Sequence, residues 1–332
     1  METLSPRLSR ALLLFLELPA TACAGFHDRG FGDAGAEIPP SNPSASDAST
    51  ADQVGPRGGR VSRLYFAVVG DTRPATVDDT SGYPLTVIAT IFQDLQLLDP
   101  APLFAVSTGD YIFASARGGQ AAPQLGLYLR ARAAFSGILF PAMGNHECTG
   151  ATASNCGPAN SDGVTDNYAQ FLATMLAPLG QTRPYYSFDV GASSGSWSAK
   201  FVVIAANAWD DVQASWLEAS LARPTTYTFI VRHEPASAAA APGVLPSEQI
   251  QARYPYTLAI VGHSHTYARS GPREVTIGNG GAPLTSTSAN YGFGLVQQRA
   301  DGSIQVDAVD YATMKRDPSF VFAVHPDGSP AP

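Results

Sequence analysis

Six polar residues stand where apolar runs stop: Asp71, Asp110, Asn145, His233, His263 and His265. The five clusters that hold them are Gly70-Asp71, Gly109-Asp110, Gly144-Asn145-His146-Glu147, His233 and Gly262-His263-Ser264-His265. Each begins within three residues of the end of a strand-like stretch. Two carboxylates, an amide and three imidazoles make an oxygen and nitrogen donor set suited to Zn, Mn or Fe, with no thiolate. Two such cations held close together need a carboxylate between them to relieve their repulsion. A pair of this kind can position a phosphoryl group, lower the pKa of a bound water and stabilise a departing oxygen. Asn145, His146 and Glu147 are costly to bury unless something satisfies them, and a metal with its supporting hydrogen bonds would. Taken singly, each cluster has a plainer reading. Asp71 or Asp110 can cap a helix, His233 can be a hydrogen-bonded core residue, and His263 and His265 can alternate along a surface segment. Five such coincidences in one chain weigh against that.

Residues so far apart in sequence meet only if strand ends converge. Leu64 to Val69 and Leu103 to Ser107 are continuous apolar runs broken by Gly-Asp, the sign of strands buried on both faces. A third run leads into Gly144. Between them, residues 84–98 carry helical spacing at Leu85, Ile88, Ile91, Phe92, Leu95 and Leu98 and stop before Pro100, and 124–135 reads as a second helix. Farther on, helices are expected over Asp166 to Leu176 and from about Asp210-Asp211. Strands are expected at Tyr185 to Val190, Lys200 to Ala206, Thr226 to Val231, Thr257 to Val261 and 275–277. Phe293 to Gln298 and Ile304 to Val309 read as a hairpin turned by Asp301-Gly302. Such alternation implies an α/β fold, a layered β-sandwich flanked by helices, with ligands in the crevice at the carboxyl ends of its strands. There is no internal repeat and no sign of a second domain.

The 332 residues carry a formal net charge of −8 and 14% charged residues, which excludes the basic face of a nucleic-acid binder. Arg7 and Arg10 precede the apolar 11–16, and Ala20-Thr21-Ala22 offers small residues for cleavage, so residues 1–23 read as an export signal. Cys23, directly after Ala22, is similar to the lipid-attachment cysteine of bacterial lipoproteins, although Ala20 stands where their box has leucine. The expected destination is the periplasm, an outer-membrane or cell-surface lipoprotein, or secretion, with membrane contact through a lipid on Cys23. Residues 24–60, rich in Gly, Ala, Ser, Pro and Asp, read as a flexible tether. The folded domain is expected over 61–312 and a tail over 313–332. With Cys23 removed or lipidated, Cys148 and Cys156 are the remaining pair, read as a disulfide rather than as two free thiols.

The five clusters, in this order, resemble the motifs of the calcineurin-like metallophosphoesterases over about residues 63–310. His265-Thr266-Tyr267-Ala268-Arg269-Ser270 and Glu147 are most similar to the purple acid phosphatase branch. The resemblance implies a four-layer α/β/β/α fold and hydrolysis of a phosphate ester, mono or di, by a metal-bridged hydroxide. Asp71, Asp110 and His265 would hold a first metal, with Asp110 bridging. Asn145, His233 and His263 would complete a second. His146 would give a proton to the leaving oxygen, and Glu147 would orient it. A non-catalytic surface protein that keeps the fold and binds a partner is the alternative. A serine hydrolase is disfavoured, for the sequence lacks a Gly-x-Ser-x-Gly elbow.

Two departures weaken the first metal site. The family's Gly-Asp-x-His is here Gly70-Asp71-Thr72-Arg73, and Phe113 stands where purple acid phosphatases place a tyrosine, three residues after the bridging aspartate. Arg73 cannot be an ordinary ligand. It is expected either to grip a phosphate oxygen or to pair with Asp78 or Asp79, and no tyrosinate colour is expected with iron. Loops 74–83, 114–123, 148–165 and 235–247 are expected to line the crevice.

Overall fold

The computed structural model describes residues 51–285, 289–320 and 322–332. The signal-like segment, Cys23 and most of the expected tether lie outside these residues. In chain order the strands are β1 (Gln53–Gly55), β2 (Gly58–Val61), β3 (Tyr65–Val69), β4 (Phe104–Ser107), β5 (Ile138–Pro141), β6 (Tyr186–Ala192) and β7 (Ser198–Val203). They continue as β8 (Tyr227–Val231), β9 (Leu258–Val261), β10 (Tyr267–Gly271), β11 (Glu274–Ile277), β12 (Gly292–Gln298), β13 (Ile304–Asp310) and β14 (Phe322–Val324). The helices are α1 (Leu85–Leu97), α2 (Ala121–Arg132), α3 (Asp166–Phe171), α4 (Asp211–Ala222) and α5 (Val244–Gln251).

Two sheets result. One runs β14-β13-β12-β3-β4-β5, the other β1-β2-β6-β7-β8-β9-β11-β10. In the first, β3, β4 and β5 are parallel neighbours. In the second, β7, β8, β9 and β11 are. The continuous apolar runs are these central strands, and β4, β8 and β9 are buried at every residue. Phenylalanines join the sheets. Phe66, Phe104 and Phe140 from β3, β4 and β5 meet Phe201 and Phe188 from the facing sheet at ring separations of 5.1, 5.5 and 3.5 Å. Each buried ring contributes roughly 1.5–3 kcal/mol. On the far side of the second sheet, Leu217 and Leu221 of α4 and Ile250 of α5 cover Val202, Ile230 and Ala259 in a separate cluster. Helices α1 and α2 pack together through Phe92 and Tyr128, so the layering is α/β/β/α.

Local chemistry sets the helix ends. Asp210 accepts from the Gln213 N–H at 2.7 Å to start α4, and Thr165 accepts from the Tyr168 N–H at 3.1 Å to start α3. Helix α4 has no basic residue in its last turn. Lys200 of β7 reaches it instead, donating to the Ser220 and Leu221 carbonyls at 2.9 and 3.1 Å. The helix expected over 166–176 is present, with its second half, Leu172–Leu176, wound as a π-helix. Helix α2 begins and ends three residues earlier than its periodicity suggests. The Asp301-Gly302 turn joins β12 to β13, with Gly302 at φ 83°.

Four strands and one helix differ from the expectation. Residues 53–60, read as the end of the tether, form all but the last residue of the β1–β2 hairpin, and β2 pairs with β6. Residues 322–324, read as tail, form β14 on β13. Strand β10 and helix α5 carry too few periodic apolar residues to be recognised. These edge elements exist because a neighbour offers a partner. Gly58 shows how close that neighbour is: at φ 98°, any Cβ there would collide with the Asp189 backbone.

Candidate metal centre

The turns after β3, β4 and β5 present Asp71, Asp110 and Asn145, and those after β8 and β9 present His233, His263 and His265. Backbone strain marks the place. Six non-glycine residues among those described have positive φ, and four are Asp71 (56°), Asp110 (59°), His263 (69°) and His265 (43°). A residue held in this region costs about 1–3 kcal/mol, and such residues cluster at functional sites. Cross-loop hydrogen bonds hold them there: Asp71 N–H to the Gly109 carbonyl at 3.0 Å, Thr72 N–H to Asp110 at 2.9 Å and Gly262 N–H to His233 at 2.8 Å. The motif glycines keep space for the carboxylates. A Cβ at Gly144 would strike Asp110 Oδ1, and one at Gly262 or Gly278 would strike Asp71 Oδ2.

All six residues come together. Ligand atoms of Asp110, His233 and His263 form one group within 4.8 Å of one another, and those of Asp71, Asp110 and His265 form another. Asp110 belongs to both. Asn145 Oδ1 lies 3.1 Å from both His233 Nε2 and His263 Nδ1.

The donor set fits a cation. His233 Nδ1 is 2.8 Å from the Thr108 carbonyl and His265 Nδ1 is 2.8 Å from the Pro283 carbonyl. A carbonyl only accepts, so these nitrogens carry the protons and each Nε2 turns a lone pair inward. His233 Nε2 then faces Asn145 Oδ1 at 3.1 Å and Asp110 Oδ2 at 3.3 Å, lone pair against lone pair, in a buried setting. A cation among these atoms would relieve that repulsion. Burial opposes ionisation of Asp110, yet His233, His146 and Arg73 hold its carboxyl well below the usual range. Against its own burial His233 is driven upward by the Asp110 charge. Burial, then His233, pushes His263 down to about 4, leaving it neutral as a ligand must be.

His146 lies beside this cluster. Its Nε2 is 3.8 Å from Asp110 Oδ2, its N–H donates to Asp110 Oδ1 at 3.1 Å, and its ring stands edge-on to Phe113 at 4.5 Å. Burial pushes it down to about 4. Glu147 does not orient it, contrary to the sequence reading. The Glu147 carboxylate is fully buried and accepts from four backbone N–H groups: Asp110 and Gly144 on Oε2 at 2.9 and 2.8 Å, Tyr111 and Ile112 on Oε1 at 2.8 and 3.3 Å. Adjacent turn residues point apart, and Glu147 points back to staple the Asp110 turn to its own. Burial and the Asp110 charge push it up to about 7, with the N–H donors opposing.

Arg73 does not pair with Asp78 or Asp79. Asp78 accepts from Ser115, and Asp79 from Ser81 and Gly82. Arg73 lies over the Phe113 ring, 4.7 Å from its centroid, and points at Asp110 and His265. Tyr111 faces elsewhere, as its displaced position suggested, donating to the Ala142 carbonyl at 3.0 Å. The Cys148–Cys156 disulfide is formed, and Cys148 N–H donates to the Asn145 carbonyl at 3.1 Å. Three contributors escaped the sequence reading: the Thr108 and Pro283 carbonyls, whose role is backbone alone, and Gly278. The run Gly278-Asn279-Gly280-Gly281 was the available sign of close packing there.

No protein-family model and no curated protein matches the sequence. Solved structures do. GAP50, the anchor in the inner membrane complex of Plasmodium, superposes with a TM-score of 0.56 at 15% identity, over 80% of this chain and 89% of that one. A purple acid phosphatase from yellow lupin (Lupinus luteus) seeds does so at 0.53 and 15%, over 78% of this chain and 53% of the lupin protein. The fold is the metallophosphoesterase fold. At that identity the likeness extends to the fold alone, and this chain spans about half of the lupin enzyme. Within the metallophosphoesterase fold, the Asp, Asn and His cluster occupies the carboxyl ends of the parallel strands of both sheets.

Proposed function

We propose that this chain is an exported, metal-dependent phosphoric ester hydrolase. The observation that carries the reading is the convergence of Asp71, Asp110, Asn145, His233, His263 and His265 on one strained, buried point. Asp110, Asn145, His233 and His263 would hold a cation, with Asp71 and His265 beside them. Fe, Zn and Mn all suit this donor set. When bound, the cation supplies Lewis acidity toward a phosphoryl oxygen and toward water. The residues of the chain orient the ester and move a proton. His146, whose Nε2 faces Asp110, would give a proton to the leaving oxygen, and burial, which pushes the ring down to about 4, makes that step favour acid pH. Phe113 fixes the plane of that ring and keeps water from one side of it. Export is supported by the signal-like residues 1–23 and the disulfide. Among the described residues no helix is long and apolar enough to cross a membrane, and lipid on Cys23 would tether the protein.

The test is turnover of p-nitrophenyl phosphate and of its bis ester by purified chain loaded with Mn, Fe or Zn. Chelator-sensitive release of nitrophenol is expected, and the faster substrate tells mono- from diesterase. Full metal loading with no turnover of either ester would favour the second reading, a surface protein that binds a partner, for which likeness to an anchor protein is the motivating observation.

A further inference from the structure

We propose that Arg73 stands in the place of one cation, so that the chain binds a single metal ion, in the Asp110–Asn145–His233–His263 group. The inference rests on the metal centre of the proposed function and departs from a two-metal site.

The two groups of ligands are not alike. Among the described residues no Lys or Arg side chain intervenes between His233, His263 and Asn145. In the other group, Arg73 is already present: its terminal nitrogen lies 3.4 Å from His265 Nε2, and its Nε lies 3.8 Å from Asp110 Oδ2. These are atoms a metal in that group would need. His265 donates its Nδ1–H to Pro283, so Nε2 holds its one lone pair, and the guanidinium N–H takes it. A guanidinium stays protonated and donates only. It can therefore satisfy His265 and balance Asp110, but it cannot join them as a ligand.

Arg73 is fastened in this position. Another of its terminal nitrogens donates to the Pro74 carbonyl at 3.0 Å. Its plane lies over Phe113, and His146 braces that ring edge-on. Asp71, the third member of the group, lies 3.6 Å from His265 Nε2 and also serves the other group: both its oxygens accept the His263 N–H, at 3.1 and 3.0 Å, which fixes the turn that carries the His263 ring. A metal entering beside Arg73 would meet a fixed like charge and an occupied imidazole. One ion plus the guanidinium also leaves net positive charge opposite an incoming phosphate, whose oxygens a guanidinium can hold in pairs.

Metal counting tests this without reference to turnover. The full chain is saturated with Mn2+, freed of excess by gel filtration, and examined by elemental analysis and electron paramagnetic resonance. The expected result is one Mn per chain with the spectrum of an isolated ion. Arg73→His, which removes the charge and supplies a ligand, is expected to take up a second ion and show an exchange-coupled spectrum. Arg73→Lys should stay at one ion, and His265→Ala should keep its ion. Two equally tight, coupled ions in the unmodified chain would overturn the inference while leaving a phosphoesterase intact. Loss of the ion in His265→Ala would overturn it too. One isolated ion without turnover would instead sink the hydrolase reading alone, and no bound ion would sink both.

Discussion

The two sheets supply different halves of the centre. The six-stranded sheet offers oxygen: Asp71, Asp110 and Asn145 follow β3, β4 and β5. The eight-stranded sheet offers nitrogen: His233, His263 and His265 follow β8 and β9. Each half is braced by the opposite kind of backbone group. The Asp110 and Asn145 turns are held through Glu147, which gathers four N–H donors. Two of the imidazoles are held by carbonyls, Thr108 and Pro283, which take their outer N–H. The oxygen half is thus a rigid assembly of loops from one sheet. The nitrogen half is oriented ring by ring, and His233 takes its orientation from the other sheet.

Asp110→Asn should damage this arrangement most, because Asp110 is the one charge common to both groups of ligands. Metal affinity is expected to fall by more than about 100-fold, and turnover with it; a variant that keeps its metal and its rate would make Asp110 a mere cap. His146→Ala belongs to neither half. It should keep the metal and slow turnover by roughly two to four decades, so a matching drop in metal content would mean that His146 is a ligand instead. Glu147→Gln is expected to loosen the oxygen half alone: one oxygen becomes a donor facing N–H groups, at a cost of about 2–4 kcal/mol in stability and a 10- to 100-fold weaker metal. Unchanged thermal unfolding would refute the clamp. The smallest effect lies far from both halves. Asp52 accepts from the Ser62 N–H and hydroxyl, each at 2.7 Å, and these contacts lower its pKa. Its contribution is present above the ordinary value of 3.8 and is lost as pH falls through the depressed one. Asp52→Ala should therefore cost about 0.5 kcal/mol at neutral pH, given its exposure, and nothing in strong acid, with metal affinity unmoved.

Much of this was legible because the central strands are apolar on both faces, so their ends stand out in the sequence. The six donors lie directly after those ends. Where an element depends on a neighbour, the sequence is quiet: Gln53-Val54-Gly55 has one large apolar residue, and Gly58-Gly59 has none. Glu147 was misread for a related reason, and of the two expectations for Arg73 only the pairing with Asp78 or Asp79 fails. Glu147 sits beside His146 in the chain, yet its partners at 110–112 lie more than thirty residues back. Arg73 faces His265, 192 residues away, whereas Asp78 and Asp79, the near carboxylates, are taken by serines and backbone. Sequence proximity ranks partners by distance along the chain, and a β-sandwich does not.

The bond from His233 to the Thr108 carbonyl runs from one sheet to the other. With a cation held there as proposed, its occupancy and the docking of the two sheets would be one linked equilibrium. An ion that binds the closed sandwich and not the parted one adds about 2.7 kcal/mol when it is present at 100 times its dissociation constant. The melting temperature should then rise with the logarithm of free metal concentration and fall on chelation. Exchange of the amide hydrogens at this end of the sandwich should quicken in step. Heat resistance in this molecule would then gauge how full the proposed metal site is.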